Sequence, residues 1–255
     1  MPRRRGHREY QTGFYVQSDD LHDLEARRAK AAKIIHCLEV EGLLEPGSAA
    51  IALDLGCANG LVLEALTPFA RTVVGLDYDW DALRAAPASV RPNAALVQGD
   101  AMALPFADEA VDLLVCAQVY EHVPDDTRLF REMHRVLRPG GAAFFSGPNW
   151  LFPIEPHYGL PFLHWLPEGF ADAWLRALGR GGHYYERSRT TWGLRRLLKG
   201  LAIRDVTAEA MRYVWAQRTD RLAALLARMP KWVWRAVAPL VPNVNWVLTK
   251  PDARQ

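Results

Sequence analysis

The 255-residue chain lacks the residues that several classes of protein need. Its three cysteines, Cys37, Cys57 and Cys116, cannot build a disulfide framework, and no pair has metal-site spacing, which points to a reducing cytoplasm. No long apolar run is present: the greasiest stretch, 232–248, is broken by Arg235, Pro239, Pro242, Asn243 and Asn245, too often for a membrane span of ~20 residues. The basic start, Met1 to Arg8, leads into no apolar segment, so no secretory signal is expected and residues 1–20 read as an N-terminal arm. Internal repeats and low-complexity segments are absent.

Half of the residues are apolar and 24% are charged, the composition of an ordinary globular protein. The length corresponds to about 1.7 typical domains, read here as one elaborated domain over 1–255. A formal net charge of +2 conceals a division. Residues 1–175 hold 15 Lys/Arg and 24 Asp/Glu, net −9, and residues 176–255 hold 16 and 5, net +11. Eight of the nine tryptophans lie beyond residue 149. The two parts are therefore expected to do different jobs.

Residues 21–41 show helical spacing of Leu24, Ala31, Ile34, Ile35 and Leu38. Short apolar runs then follow at 50–55, 72–76, 94–97, 111–117 and 142–146, predicted as strands buried on both faces. Helical candidates at 60–67, 80–86 and 127–137 separate them, the alternation that builds a parallel sheet with right-handed crossovers. Residues 202–207 and 244–249 are two further candidate strands. The cofactor core is thus expected over 21–149. Prolines at 148, 153, 156, 161 and 167 mark 150–190 as a cap insertion over the sheet's carboxyl edge, ordered without a regular helix at its start. Residues 191–255 carry the last strands around a helical insertion at 208–242.

The most informative segment is Ile51-Ala-Leu-Asp-Leu-Gly-Cys-Ala-Asn-Gly60, a strand running into a turn that opens a helix. Gly56, Cys57 and Gly60 let a ligand approach the backbone there. A dinucleotide fingerprint would place glycine two residues before Gly56, but Asp54 stands there. An acid repels a pyrophosphate and suits the cationic amino acid end of S-adenosylmethionine. The second strand ends in Asp77, placed to accept from both ribose hydroxyls, and Tyr78 offers a ring to adenine. The third ends in Asp100-Ala101-Met102, with Asp100 suited to the adenine amino group and Met102 to its ring. The fourth ends in Gln118, facing the methionine part.

These pieces resemble the class I S-adenosylmethionine-dependent methyltransferases, in particular the type 11 group related to quinone-biosynthesis methyltransferases. The resemblance rests on Leu53–Gly60, Val74–Asp77, Gly99–Phe106, Glu121-His-Val-Pro124 and Arg131–Gly141, and covers about residues 48–147. It implies a Rossmann-like three-layer α/β sandwich whose mostly parallel seven-stranded sheet has an antiparallel last strand. It also implies cofactor contacts at Asp54, Gly56, Asp77, Asp100 and Gln118. Ala58 departs from the pattern, which usually has a second glycine there.

Methyl transfer from a sulfonium needs orientation and, for some acceptors, a base. His122, on the turn after the fourth strand, is the first candidate base, and His157 on the cap the second. Tyr15, Trp150, Phe152, His157, Tyr158, Phe162 and Trp165 are candidate acceptor contacts, their aromatic surface pointing to a small hydrophobic or lipid-like acceptor and to O-methylation. No metal is expected: Asp77, Asp79 and Asp81 read as a strand end and helix cap, and no carboxylate set for a catechol-bound magnesium is visible. The cations and tryptophans beyond residue 175 fit peripheral contact with an anionic membrane from the cytoplasmic side. Two alternatives are an RNA methyltransferase using that basic part, without a recognised nucleic-acid module, and a non-catalytic cofactor-binding scaffold.

Overall fold

The computed structural model of the protein describes residues 11, 12, 14–17 and 22–252. The basic arm 1–8 and Tyr10 lie outside the described residues. After the single turn α1 (Phe14–Gln17), helix α2 (Leu24–Val40) starts on Asp23, whose side chain accepts from the Ala26 N–H at 2.9 Å. It stops where Gly42 takes a positive φ of 68°.

The predicted strands are present as β1 (Ala49–Leu55), β2 (Ala70–Asp77), β3 (Ala95–Gln98), β4 (Val111–Ala117) and β5 (Leu137–Pro148). Between them run α3 (Leu61–Leu66), α4 (Trp80–Arg84) and α5 (Asp126–Val136). A hairpin of β6 (Ile154–Glu155) and β7 (Leu160–Pro161) opens the 150–190 segment. Helix α6 (Glu168–Ala177) lies within that segment, and α7 (Thr191–Leu197) leads to β8 (Ala202–Asp205). The helical insertion consists of α8 (Thr207–Ala216), α9 (Arg221–Ala227) and α10 (Lys231–Val237), and β9 (Asn243–Thr249) closes the fold.

The seven-stranded sheet has the order β3-β2-β1-β4-β5-β9-β8, with β9 antiparallel to both neighbours. The last strand in the chain is thus the antiparallel one, as the resemblance implied. Period-two alternation along each central strand feeds two cores. Leu53, Leu55, Phe145, Trp246 and Leu248 face a core shared with Phe130 and Met133 of α5 and Leu194 of α7. Ala52, Val73, Leu113, Phe144 and Val247 face the other, with Ile34 and Leu38 of α2 and Ala210 of α8.

The expectation that the first five strands are buried on both faces fails at β3, and the further strand β8 is exposed as well. Both are edge strands with exposed positions, Ala95 and Gln98 in one and Ala202, Arg204 and Asp205 in the other. The tryptophans divide too: Trp246 and Trp234 are buried, whereas Trp192 and Trp232 are exposed. No helix among the described residues is long and apolar enough to cross a membrane.

The cap has a small core of its own in Leu160, Leu163, Ala171 and Leu175. It is tied to the sheet by polar contacts. The Arg189 guanidinium is clamped by both oxygens of Asp126, and the Arg187 N–H donates to the Glu121 carbonyl at 3.0 Å. The Tyr120 hydroxyl donates to the Pro148 carbonyl and accepts from the Arg189 N–H.

Candidate active site

The carboxyl ends of β1, β2, β3 and β4 converge on a cavity of about 380 Å³. The β1–α3 loop forms its floor. The Gly56 and Cys57 N–H groups both donate to the Leu76 carbonyl, at 2.8 and 3.2 Å, which stitches the loop to β2. Gly56 has a φ of 66°, and a Cβ there would lie 2.6 Å from Val119 Cγ2, so this position needs glycine on two counts. Ala58 has a φ of 48°, the left-handed conformation that a glycine takes without steric cost. Its N–H donates to Asp77 Oδ2 at 2.7 Å, and Asp77 Oδ1 accepts from the Asp79 N–H at 2.8 Å.

Two cations that the sequence reading did not assign reach the site from α2. Arg27 Nε donates to Asn59 Oδ1 at 2.9 Å and its Nη2 to the Cys57 carbonyl at 3.3 Å. Lys30 Nζ donates to the Ala117 carbonyl at 3.1 Å. The buried stripe Arg27, Ala31, Ile34 and Leu38 has spacings of four, three and four residues, so the available signal was a cation in register with an apolar face. Burial, with Arg27 and Lys33 nearby, pushes the Lys30 ammonium down to about 8.

Asp54 lies beneath these cations, 3% exposed, with no hydrogen-bond partner for Oδ2 among the described residues. Burial pushes its carboxyl up to about 7, against the pull of Lys30 and Arg27. An acid wanting a cation, beside cations wanting an anion, fits the zwitterionic amino acid end of S-adenosylmethionine. Asp77 lines the same cavity and keeps acceptor lone pairs for ribose hydroxyls beyond its two backbone bonds.

Of the other sequence-predicted cofactor residues, Gly56, Tyr78, Asp100, Ala101 and Gln118 line the cavity. Cys57, Gly60 and Met102 do not, and Asp54 lies buried outside the lining. The Cys57 thiol packs against Gly75 in a sheet core, and burial raises it well above its usual range, which keeps it a neutral thiol. Gly60 caps α3 with a φ of 82°, and Met102 is buried with Leu104 in the other core.

At the Gln118 end, the turn after β4 and the cap hairpin meet. Gln118 takes a φ of 64° and donates through Nε2 to Asn243 Oδ1 at 3.2 Å. Glu121, 1% exposed, has no hydrogen-bond partner for either carboxylate oxygen among the described residues. The His122 and His157 rings meet edge to face at 4.9 Å, and His122 Nε2 lies 3.9 Å from Glu121 Oε1. His157 Nδ1 is 2.9 Å from Glu155 Oε1.

Burial pushes Glu121 up to about 7, while His157 pulls it down. Burial also lowers the His157 imidazolium, but the Glu155 hydrogen bond and the Glu121 and Glu186 carboxylates outweigh it and hold the group at about 9. Burial and His157 together keep His122 neutral, down at about 3. Across the mouth, Gln11 Nε2 donates to the His122 carbonyl at 3.0 Å and the Tyr15 N–H to Asp79 Oδ2 at 2.9 Å.

His157 and Tyr15 therefore line the cavity, but the cap aromatics do not. Trp150, Phe162 and Trp165 pack on one another, with centroids 5.5 Å apart for Trp150–Trp165 and 4.9 Å for Phe162–Trp165. Tyr158 packs on Tyr184, and Phe152 is half-buried outside the cavity lining. Proline-rich backbone turns these rings toward the cap itself.

A methyltransferase domain family matches residues 53–145. An uncharacterized methyltransferase of Mycobacterium marinum is 32% identical over 86% of this chain and 82% of its own length. Another, of Mycobacterium tuberculosis, is 31% identical over 92% and 90%. A solved S-adenosylmethionine-dependent methyltransferase of Mesorhizobium loti shares the fold with a TM-score of 0.58 at 23% identity, over 86% of this chain and 99% of that one. These relatives favour neither the RNA-methylating nor the scaffold alternative. With this sheet order, the acid beneath the glycine turn and these relatives, the chain belongs to the class I S-adenosylmethionine-dependent methyltransferases.

Proposed function

We propose that this methyltransferase methylates an oxygen of a small hydrophobic or lipid-like acceptor. The observation that carries this reading is Glu121, a buried carboxylate with no hydrogen-bond partner among the described residues, beside His122 and His157 at the Gln118 end of the cavity. A hydroxyl is a weak nucleophile until it gives up its proton, whereas a neutral amine attacks without a base. A cluster able to handle a proton at this place, built on a buried carboxylate, therefore suits an oxygen acceptor.

When bound, S-adenosylmethionine supplies an activated methyl group on a sulfonium. Asp54 would hold its ammonium, Arg27 and Lys30 its carboxylate, Asp77 the ribose hydroxyls, and Asp100 and Ala101 the adenine edge. The chain itself orients the acceptor, takes up its proton at the Glu121 cluster, and narrows the mouth with Gln11, Tyr15 and Pro156. The apolar character of the acceptor is supported by Val119, Val123 and Pro156, which line the cavity with His122 and His157. Incubation with a methyl-labelled donor and an apolar metabolite extract tests the reading. A labelled methyl ether or ester in the organic phase supports it, and label on an amine or on RNA overturns it.

The C-terminal helices favour a place where such an acceptor is met. Leu222, Leu225 and Trp232 are exposed and interleaved in sequence with Arg221, Arg228 and Arg235, a pattern that suits an anionic lipid surface. Co-sedimentation with anionic vesicles at low salt is expected, and no binding there would remove this part of the proposal.

A further inference from the structure

Glu121, His122 and His157 each bring a metal-ligating atom to one spot, all within 4.8 Å of one another. The three come from two elements far apart in the chain, the turn after β4 and the cap hairpin. A tetrahedral ion with bonds of about 2.0–2.2 Å holds its donors about 3.4 Å apart. His122 Nε2 and Glu121 Oε1, at 3.9 Å, are close to that spacing already.

The surroundings are those of a ligand shell. Both Glu121 oxygens are buried without a hydrogen-bond partner among the described residues, so the carboxylate is held in place with its acceptor capacity unused. His157 Nδ1 faces Glu155 Oε1 at 2.9 Å, and a carboxylate oxygen only accepts, so Nδ1 carries a hydrogen and Nε2 is the atom that would ligate an ion, giving up the second imidazolium proton as the ion binds. Glu155 is itself fixed: its Oε2 accepts from the Tyr158 N–H at 2.7 Å, and it is buried. A carboxylate that orients a histidine in this way is the usual outer partner of a metal-ligating imidazole.

We propose that Glu121, His122 and His157 bind one divalent transition-metal ion of the zinc class, with an open coordination position for the acceptor oxygen. Two imidazoles and one carboxylate select zinc, iron(II) or cobalt(II) over magnesium and calcium, which prefer all-oxygen shells. Three protein ligands leave a position open toward the cavity that His122 and His157 line. An acceptor hydroxyl placed there would bind through its oxygen lone pair, and with Glu121, His122 and His157 engaged by the ion its proton would pass to cavity water instead of to that cluster. Glu155 is a positioning residue in this arrangement. The role of the ion deepens the O-methylation reading and rests on it, but its binding does not.

The test uses the full chain, stripped with a chelator and dialysed against zinc or cobalt alone. One ion per chain is expected, with cobalt giving the visible bands of a histidine-ligated ion. His157→Ala is expected to lower the affinity about a hundredfold and Glu155→Gln about tenfold, with unchanged far-ultraviolet circular dichroism. If wild-type protein binds no more metal than the Glu121→Ala/His122→Ala/His157→Ala variant, the site does not exist and the cluster is an internal proton-holding network. Thermal shift of wild type with S-adenosylhomocysteine, run in parallel, separates the two readings. A shift without metal binding overturns the metal site and leaves methyl transfer standing. Metal binding without a shift does the reverse.

Discussion

The Arg27 Nε–H donates to the side-chain oxygen of Asn59 at 2.9 Å, so a residue early in α2 holds the last turn of the cofactor loop. Asn59 is fully buried and Arg27 nearly so. Arg27→Ala would leave a buried amide oxygen without its donor and remove a cation from above Asp54. The expected cost is about 1–3 kcal/mol of stability, read as a lower Tm. A loss of S-adenosylhomocysteine affinity by calorimetry should accompany it. Unchanged affinity would place the ligand carboxylate elsewhere.

Binding of S-adenosylhomocysteine should be strongest in a narrow band just above neutrality. Asp54 is raised to about 7, so its carboxylate, proposed to pair with the ligand ammonium, is lost as pH falls below that value. Lys30 is lowered to about 8, so its ammonium, proposed to pair with the ligand carboxylate, is lost as pH rises above it. Calorimetric titrations on both sides of neutrality should trace the two limbs. Asp54→Asn should flatten the acid limb and Lys30→Met the alkaline one.

The same raised carboxyl has the opposite sense for the ligand-free protein. A group whose folded value lies above its unfolded value of about 4 favours folding while protonated. That contribution is present below the unfolded value and lost as pH rises toward about 7, and Glu121 behaves alike. Unliganded protein should therefore lose stability across this window more steeply than Asp54→Asn, measured by urea unfolding. Parallel curves would show that the Asp54 charge is compensated.

Ala58→Gly should stabilise the chain by about 1 kcal/mol, because Ala58 holds a positive φ of 48° in the loop. Its N–H bond to Asp77 needs no side chain. Thermal unfolding checks this, and a lower Tm would mean that the Ala58 methyl packs usefully.

Gly147→Ala should do the reverse. A Cβ there would clash with Tyr120 Cε1, and Tyr120 is fully buried among Phe130, Phe145 and Pro148. A loss of about 1–3 kcal/mol is expected. Tyr120→Ala in the same background should relieve part of it, and strict additivity would rule out this contact as the cause.

The sheet was legible because each central strand is a continuous apolar run ended by Gly or Asp, and those ends carry the cofactor residues Asp54, Asp77 and Asp100 in order. Their surroundings were less so. Lys30 and Arg27 reach the site because α2 crosses over the β1 loop, and the register of Arg27 with the apolar face marks it as buried without saying against what. Glu121 stands in the Glu121-His-Val-Pro124 motif, but the burial of both its oxygens without a hydrogen-bond partner among the described residues is a property of packing. The cap aromatics misled for a related reason: composition counts rings, and only the path of the chain decides that Trp150 and Trp165 face each other.

The cap's core of Leu160, Leu163, Ala171 and Leu175 shares no residue with either core of the sheet. The cap and the sheet thus answer to separate packing constraints, joined by a few polar ties such as Arg189 to Asp126. Substitutions in the cap core are therefore expected to leave intact the strands that present Asp54 and Asp77, and in the proposed function that separation would let the acceptor change while the donor stays the same.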